Sequence, residues 1–200
     1  MRPTTAFLML GLTLVFLAGC GTTRPSKFYI LSPMPAGESV TATGNEPAIG
    51  LGPVVMPKYL DRPQIVQRAG DNQLLLAESH RWAEPLANNF TRVLAENLAA
   101  TIPVDQVAVY PWNRTTRVDY QVSVDVMRFD ADTNGNAVLS SDWKVLETES
   151  NEVIAMKRST FSEAALATDY AAIVAAQSRL LAAFAREITG VIRSATRVSD

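Results

Sequence analysis

The sequence predicts an α+β fold, in which two amphipathic helices pack on one face of a mainly antiparallel sheet. Across Arg117–Asp130, valines alternate with polar residues, a pattern typical of a strand with one face in water. The Asn134-Gly135 pair that follows favours a tight turn between antiparallel strands. In Arg81–Ala100 and Asp169–Thr196, apolar residues instead recur at steps of three and four, as they do in amphipathic helices.

Short strands and turns are predicted for the rest of the chain after residue 26. Pro33–Pro47 is rich in Pro, Gly, Ser and Thr and is predicted to be a loop. Pro57–Pro63 is predicted to be a turn or a single helical turn, and residues 69–72 to be the turn of a hairpin. The other predicted strands are Lys27–Leu31, Ala48–Val55, Gln64–Arg68, Gln73–Ala77, Val107–Tyr110, Ala137–Leu146 and Glu152–Phe161.

Each predicted helix has an apolar stripe. Ser79 is the expected N-cap of the first helix, and Pro85 is tolerated because it lies near the first turn. Arg179, Arg186 and Arg193 recur every seven residues beside the stripe of the second helix. The stripes are Trp82, Leu86, Phe90, Val93, Leu94 and Leu98 in the first helix, and Ile173, Ala176, Leu180, Phe184, Ile188, Val191 and Ala195 in the second.

The first residues have the pattern of a secretion signal. Arg2 precedes the apolar run Ala6–Leu17, which would span about 18 Å as a helix, too short for a bilayer core of about 30 Å. Leu17-Ala18-Gly19-Cys20 resembles a bacterial lipobox, and Cys20 is the only cysteine of the chain. The alternative is an ordinary signal peptide that is followed by an incidental cysteine.

The lipobox implies a covalent lipid anchor. In proteins with this motif a peptidase cleaves before the cysteine, whose thiol receives a diacylglycerol and whose amino group receives an acyl chain such as palmitate. Several acyl chains anchor a protein stably. Gly21, where an Asp would favour retention at the inner membrane, favours the inner leaflet of the outer membrane. We expect a lipoprotein signal peptide at residues 1–19, a lipidated tether at 20–26, and a single α+β domain at 27–200.

Composition excludes several classes of protein. The 200 residues include one Cys and one His, and their net charge is −2. A single Cys excludes an intrachain disulfide framework and a cysteine-cluster metal site. The near-neutral charge excludes a nucleic-acid binder that acts through bulk positive charge. Apart from the acyl chains on Cys20, we therefore expect no metal, no cofactor and no nucleic-acid partner.

Residues suited to catalysis are scarce. A Ser-His-Asp or Cys-His arrangement would need His80, which is expected to be exposed where a loop meets the first helix. Asp119 and Asp125 share the polar face of one predicted strand about 20 Å apart, too far for a cooperating pair of glycosidase carboxylates. With Asp130 and Asp132, they are interpreted as solvent-exposed strand polarity. The sequence therefore favours a protein that is not an enzyme.

The Pro57–Pro63 turn is a candidate contact surface for a partner protein. Its two prolines stiffen the chain and display Lys58, Tyr59, Asp61 and Arg62. An exposed Tyr and Arg on a stiff turn suit a protein interface. The alternative is a structural turn in which Tyr59 is half-buried. For the apolar stripe of the first helix, core packing is the favoured interpretation.

Four stretches of the chain resemble a single family. They are the lipobox, Phe28–Leu31 (FYIL), Leu51–Arg68 (LGPVVMPKYLDRPQIVQR) and Arg81–Ala99 (RWAEPLANNFTRVLAENLA). Together they resemble the ABC-type transport auxiliary lipoproteins over nearly the whole mature chain. The resemblance implies that Tyr59–Gln64 and Arg81–Leu86 are fold or contact signatures, which adds Gln64, Arg81 and Trp82 to the candidate partner-binding residues.

The resemblance implies a non-enzymatic lipoprotein on the periplasmic face of the outer membrane. Its expected partners are an MCE-domain protein, which forms a tunnel across the periplasm, and an inner-membrane permease. Such a system moves phospholipids or related lipids between membranes and supports envelope integrity, and a homo-oligomeric ring would suit its tubular partner. The alternative is an outer-membrane lipoprotein that activates or scaffolds a cell-wall synthase, and neighbouring genes would distinguish the two.

Overall fold

An eight-stranded sheet carries two helices on one face in the computed structural model, which describes residues 25–35, 46–102, 104, 106–166 and 169–199. The predicted signal peptide, Cys20, and residues 36–45 of the predicted loop lie outside these ranges. The strands are β1 (Lys27–Tyr29), β2 (Ala48–Val55), β3 (Gln64–Arg68), β4 (Leu74–Trp82), β5 (Gln106–Val109), β6 (Tyr120–Asp132), β7 (Asn136–Glu147) and β8 (Glu152–Ala164), and the helices are α1 (Leu86–Thr101) and α2 (Tyr170–Ser199).

Strand β6 lies at the centre of the sheet. Along one edge it pairs antiparallel with β7, which in turn pairs antiparallel with β8. Along the other edge, β2 pairs parallel with residues 120–125 of β6, and β3 pairs parallel with residues 131 and 132. The branch of β2 continues to β5, and the branch of β3 continues to β4 and β1. The sheet therefore forks beside β6, and the Pro57–Pro63 turn joins the two branches.

The predicted α+β class with a mainly antiparallel sheet is confirmed. Most of the paired residues belong to the β6–β7–β8 meander, whose first turn lies at Asn134-Gly135, where the sequence predicted it, and whose second turn lies around Asn151, between the predicted strands. The parallel pairs of β2, β3 and β1 join strands that are distant in sequence. Local patterns do not reveal such pairs, because the sequence between two parallel strands carries no turn signature of its own.

The valine alternation of β6 is confirmed and ends at a bulge. Val122, Val124 and Val126 are each at most 2% exposed, and then the register with β7 shifts between Val126 and Arg128. A shift of one residue exchanges the two faces of a strand, so that Phe129 rather than residue 128 continues the core side. The Phe129 ring meets Phe90 of α1 edge-on, with 5.2 Å between the ring centroids.

The first helix begins later than the sequence predicted. It starts at Leu86 instead of Arg81, and Ser79 lies within β4 and caps no helix. Strand β4 continues to Trp82 because that end pairs with β1 on one side and β3 on the other. Pro85 then serves as the N-cap, and its carbonyl accepts from the amides of Asn88 and Asn89.

Both helices bury their apolar stripes against the sheet. Helix α1 lies over β2 and β5, helix α2 lies over β6, β7 and β8, and the helices also contact each other. Phe184 of α2 packs edge-on to Trp143 of β7, with their ring centroids 6.0 Å apart. The predicted stripe of α2 is confirmed from Ile173 to Ile188, and Val191 and Ala195 at its end are partly buried. No helix in the described ranges is both long and apolar enough to cross a bilayer.

Two buried asparagines of α1 hold the segment that follows β1. Asn89 is 1% exposed and Asn97 is 0% exposed, although both lie on the otherwise apolar stripe. Their Oδ1 atoms accept from the amides of Leu31 at 2.7 Å and Met34 at 2.8 Å. Because buried backbone amides need acceptors, these side chains fix an extended segment that has no strand partner of its own.

We predict that Asn89→Ala lowers the free energy of unfolding by about 1–3 kcal/mol, because the buried amide of Leu31 loses its acceptor. The amide of Leu31 should also exchange faster with solvent deuterium. Asn88→Ala is the matched control, since Asn88 is exposed in the same helical turn and should change stability by about 0.5 kcal/mol or less. Urea denaturation and hydrogen exchange would measure both effects, and equal losses in the two variants would contradict this role.

Candidate functional site

The two tracts that the sequence singled out meet in space. Gln64, at the start of β3, is the register partner of Arg81, near the end of β4. The backbone amide of Trp82 donates to the carbonyl of Pro63 at 2.7 Å. Beyond these residues the chain turns away on both sides and leaves an opening of about 330 Å³. We call this opening the junction cleft; it is lined by Asp61, Arg62, Pro63, Trp82, Ala83, Glu84 and Pro85.

The turn on one side of the junction cleft is short and rigid. Lys58–Leu60 form a single 3₁₀ turn, in which the amide of Leu60 donates to the carbonyl of Pro57 at 2.9 Å. Leu60 is 3% exposed and belongs to the core. Proline fixes φ at both ends of the turn, so that little backbone freedom remains to be lost when a partner binds.

Tyr59 points into the protein from this turn. Its hydroxyl donates to Oδ2 of Asp130 at 2.9 Å, and the Arg68 guanidinium lies 5.9 Å from the centre of its ring. Burial first, and then the Asp130 carboxylate, raise the pKa of Tyr59 to about 12. Because this pKa lies above the ordinary value of 10.0, the protonated Tyr59 hydroxyl stabilises the fold fully below pH 10. This contribution to the free energy of unfolding is lost as the pH rises towards 12. This geometry matches the alternative of a structural turn with a half-buried Tyr59.

Asp130 is buried, which corrects its interpretation as solvent-exposed strand polarity. Its side chain is 0% exposed and forms ion pairs with Arg128 at 2.7 Å and Arg68 at 3.2 Å. The bulge in β6 turns Phe129 towards the core and Asp130 towards the opposite face of the strand, where Tyr59 and Arg68 cover the carboxylate. The loss of the valine alternation after Val126 is the sequence signal that could have revealed it.

The remaining candidate residues differ in how far a partner could reach them. Lys58 and Asp61 are exposed, whereas Arg62 is half-buried at the mouth of the junction cleft. The Nε atom of Arg62 is buried and has no hydrogen-bond acceptor among the described residues. Trp82 is 5% exposed, so its indole forms the floor of the cleft.

Gln64 and Arg81 lie beside the cleft and are partly exposed. Nε of Arg81 makes a long hydrogen bond of 3.4 Å to the carbonyl of Glu78. Glu84 is already engaged, because its Oε1 accepts from Arg92 at 3.0 Å and from Asn89 at 2.9 Å. Asp61 and Arg62 are therefore the charged side chains of the cleft that remain available to a partner.

His80 lies in a strand and not at the start of a helix. Its Nδ1 and the Tyr29 hydroxyl are hydrogen-bonded at 2.7 Å, and its ring stacks on Tyr170 with 4.0 Å between the centroids. The imidazole is thus engaged between two tyrosines that join β1, β4 and α2. Within the described ranges, no three His, Cys, Asp or Glu side chains are placed to hold a metal ion.

Comparison with known proteins assigns the chain to a family. Residues 29–189 match the family described as the ABC-type transport auxiliary lipoprotein component. The chain belongs to this family. The match includes both sides of the junction cleft and most of the two helices, and membership of the family supports a role as a transport auxiliary lipoprotein.

This auxiliary lipoprotein also resembles proteins that are known individually. It is 26% identical to the intermembrane transport lipoprotein PqiC of Escherichia coli over 130 residues, which cover 64% of this chain and 68% of PqiC. The PqiC of Shigella flexneri matches equally well, with 26% identity over 130 residues, 64% of this chain and 68% of that protein.

Two crystal structures have the same fold as the auxiliary lipoprotein. That of an uncharacterized protein has a TM-score of 0.70 at 19% identity and covers 84% of this chain and 99% of its own. That of a protein from Xanthomonas campestris has a TM-score of 0.67 at 21% identity and covers 87% of this chain and 100% of its own.

We predict that Asp130→Asn destabilises the protein by about 3 kcal/mol, because it leaves two arginines without their shared buried carboxylate. Tyr59→Phe should cost about 1–3 kcal/mol by removing a hydrogen bond to a charged group. The unaltered protein should lose stability between pH 10 and 12, the range set by the raised pKa of Tyr59, and the Tyr59→Phe variant should lose less in that range.

Asp125→Asn is the matched control for the Asp130 variant, since Asp125 is an exposed aspartate of the same strand. Its substitution should change stability by about 0.5 kcal/mol or less. Urea denaturation at several pH values would measure all three variants. An Asp130→Asn protein as stable as the Asp125→Asn protein would rule out a structural role for the buried carboxylate.

Proposed function

We propose that this auxiliary lipoprotein is a lipid-anchored, non-enzymatic docking subunit of an MCE-type intermembrane lipid transport system. The observation that carries the proposal is its membership of the transport auxiliary family together with its similarity to PqiC, an intermembrane transport lipoprotein. The protein would stand on the periplasmic face of the outer membrane and meet the far end of an MCE tunnel. An inner-membrane permease would complete the system, which would support envelope integrity.

The proposed anchor is Cys20. It would carry a diacylglycerol on its sulfur and an acyl chain such as palmitate on its amino group. Residues 21–26 would link it to β1, and at about 3.3 Å per residue they reach at most about 20 Å. A domain on so short a tether stays close to the membrane surface, where a subunit that receives a tunnel is needed.

The proposed docking surface is the junction cleft and the turn beside it. The rigid turn, the exposed charges of Lys58 and Asp61 and the half-buried Arg62 suit a protein interface, in which Arg is enriched. Arg62 is half-buried at the mouth of the cleft, where its guanidinium would donate to a carbonyl or carboxylate of the partner. A homo-oligomeric ring would repeat this surface around a tubular partner.

We predict that Cys20→Ala yields a folded domain that no longer fractionates with membranes, because the acyl chains that hold it are missing. Fractionation of cells by density gradient, with the protein detected by immunoblot, would measure this. The unaltered protein should fractionate with the outer membrane. Full recovery of the variant in membranes would show that another contact retains it and that Cys20 is not the anchor.

We predict that the double charge reversal Lys58→Glu and Asp61→Lys, or Arg62→Glu alone, reduces recovery of an MCE-domain protein in a pull-down by at least about tenfold, since buried interface charges are costly to mismatch. Arg114→Glu is the matched control, because Arg114 is an exposed arginine on a loop outside the cleft. Equal recovery by all variants would place the docking surface elsewhere.

The pull-down, a deletion of the gene and the identity of the neighbouring genes together test the proposed system as a whole. Cells that lack the gene should become sensitive to detergents, and neighbouring genes should encode an MCE-domain protein and a permease. Wild-type sensitivity together with no MCE protein in the pull-down would reject the proposal. Recovery of a cell-wall synthase instead would favour a scaffolding lipoprotein.

A further inference from the structure

An apolar groove lies beside the N-terminal strand and is separate from the junction cleft. One wall is formed by Phe28, Ile30 and the segment Pro33–Pro35, and the other by one flank of α2 between Ala171 and Arg186. Its volume is about 490 Å³. We call it the N-terminal groove. None of its walls belongs to the surface proposed above for the MCE protein.

Two large apolar side chains that line the groove are exposed. Phe28 is 65% exposed and Ile30 is 48% exposed, whereas Tyr29 and Leu31 between and after them turn towards the protein. Alternate residues of an extended segment share a side, so Phe28 and Ile30 project together. A contiguous exposed apolar patch of this kind marks a surface that meets another apolar phase or a partner.

The wall that carries these side chains is fixed in place. The amides of Leu31 and Met34 are held by the buried asparagines of α1, and the amide of Ser32 is held by Oγ of Ser178 at 3.1 Å. Strand β1 itself pairs with β4. The groove is therefore a built feature, and its apolar side chains do not owe their exposure to a loose terminus.

Cations stand at the border of the groove. Arg179 and Arg186 lie one heptad apart on α2 and both line it, and Lys27 is exposed beside Phe28. Arg179 is engaged by Glu163, with Nε and Oε1 2.7 Å apart. Apolar side chains that are bordered by Lys and Arg match the boundary of a bilayer, where acyl chains adjoin anionic phosphates.

The position of the tether identifies the occupant. Phe28 follows Cys20 by eight residues, a length that spans at most about 28 Å when fully extended. The groove thus begins where the chain leaves its proposed anchor. We propose that the N-terminal groove lies against the anchoring membrane, with Phe28 and Ile30 inserted at the acyl boundary and Lys27 and Arg186 at the lipid phosphates.

This inference rests on the proposed anchoring of Cys20 and adds an orientation to it. A lipid tether alone would let the domain rotate freely above the leaflet. A second contact through the groove would hold it in a single orientation. Because the amide of Ala83, in the junction cleft, donates to the carbonyl of Tyr29 at 2.8 Å, that orientation would also bring the cleft close to the membrane surface.

A site-specific fluorophore tests the contact. Cys20 is the only cysteine, and its sulfur is blocked in the lipidated protein, so that an introduced cysteine is the one free thiol. The full-length variants Ile30→Cys and Ala175→Cys carry the fluorophore NBD in the groove. As the control, the variant Asn72→Cys carries it at the exposed β3–β4 hairpin. The lipidated proteins are reconstituted in vesicles of phosphatidylethanolamine and phosphatidylglycerol.

We expect a blue-shifted emission and quenching by doxyl-labelled phospholipid for both groove labels. The label at residue 72 should be quenched by aqueous iodide instead. The pair Phe28→Asp and Ile30→Asp, combined with the reporter at residue 175, should abolish most of the lipid quenching while the protein stays on the vesicles through Cys20. Groove labels that remain open to iodide on the vesicles would overturn the proposal.

The same labels in the Cys20→Ala protein, without vesicles, distinguish the membrane from two other occupants of the groove, residues 36–45 and a second copy of the chain. Access of iodide to the groove in this water-soluble form supports the membrane contact. Protection there overturns it: protection that is independent of protein concentration would point to residues 36–45, and protection that grows with concentration to a second copy. A protein that never reaches the vesicles would instead reject the anchor itself, which the fractionation experiment reports separately.

Discussion

The buried carboxylate of Asp130 holds together parts of the chain that are far apart in sequence. It accepts hydrogen bonds from Arg128 in its own strand, from Arg68 in β3 and from Tyr59 in the Pro57–Pro63 turn. A buried charge is tolerated only when it is paired and hydrogen-bonded, and these three donors meet that requirement. This requirement fixes the turn against β6 at the point where the sheet forks. The position of the junction cleft depends on it, because the turn forms one side of that cleft.

The two asparagines of α1 impose a similar constraint on the start of the domain. Asn89 and Asn97 satisfy amides of the extended segment after β1, and they lie on a helix face that would otherwise be wholly apolar. Their burial gives the amides of Leu31 and Met34 the acceptors that a segment with no strand partner would otherwise lack. If the proposals for the cleft and the groove are both correct, this ordered segment lies between the membrane and the transport partner. A rigid connection of that kind would keep a tunnel end at a constant distance from the leaflet.

Local patterns predicted those elements whose reasons are local. The alternation of Val122, Val124 and Val126 identified β6, and the apolar period from Ile173 to Ile188 identified α2. The start of α1 was predicted too early, because a helical spacing from Trp82 to Leu86 also occurs across the end of a strand and a loop. The boundary depends on the pairing of the end of β4 with both β1 and β3. A local stretch of the sequence does not show this pairing.

For the candidate site, residue identity predicted the family, the two tracts and the stiffness that prolines give to the turn. The resemblance of residues 17–20 to a lipobox likewise follows from residue identity alone. Three features come instead from the folded chain: the tracts meet, Tyr59 points inward to Asp130, and Phe28 and Ile30 stay exposed. The physical reason is that burial and pairing depend on which distant segment covers a residue. The parallel pairs and the β6 bulge set that arrangement, and the parallel pairs join strands that are distant in sequence.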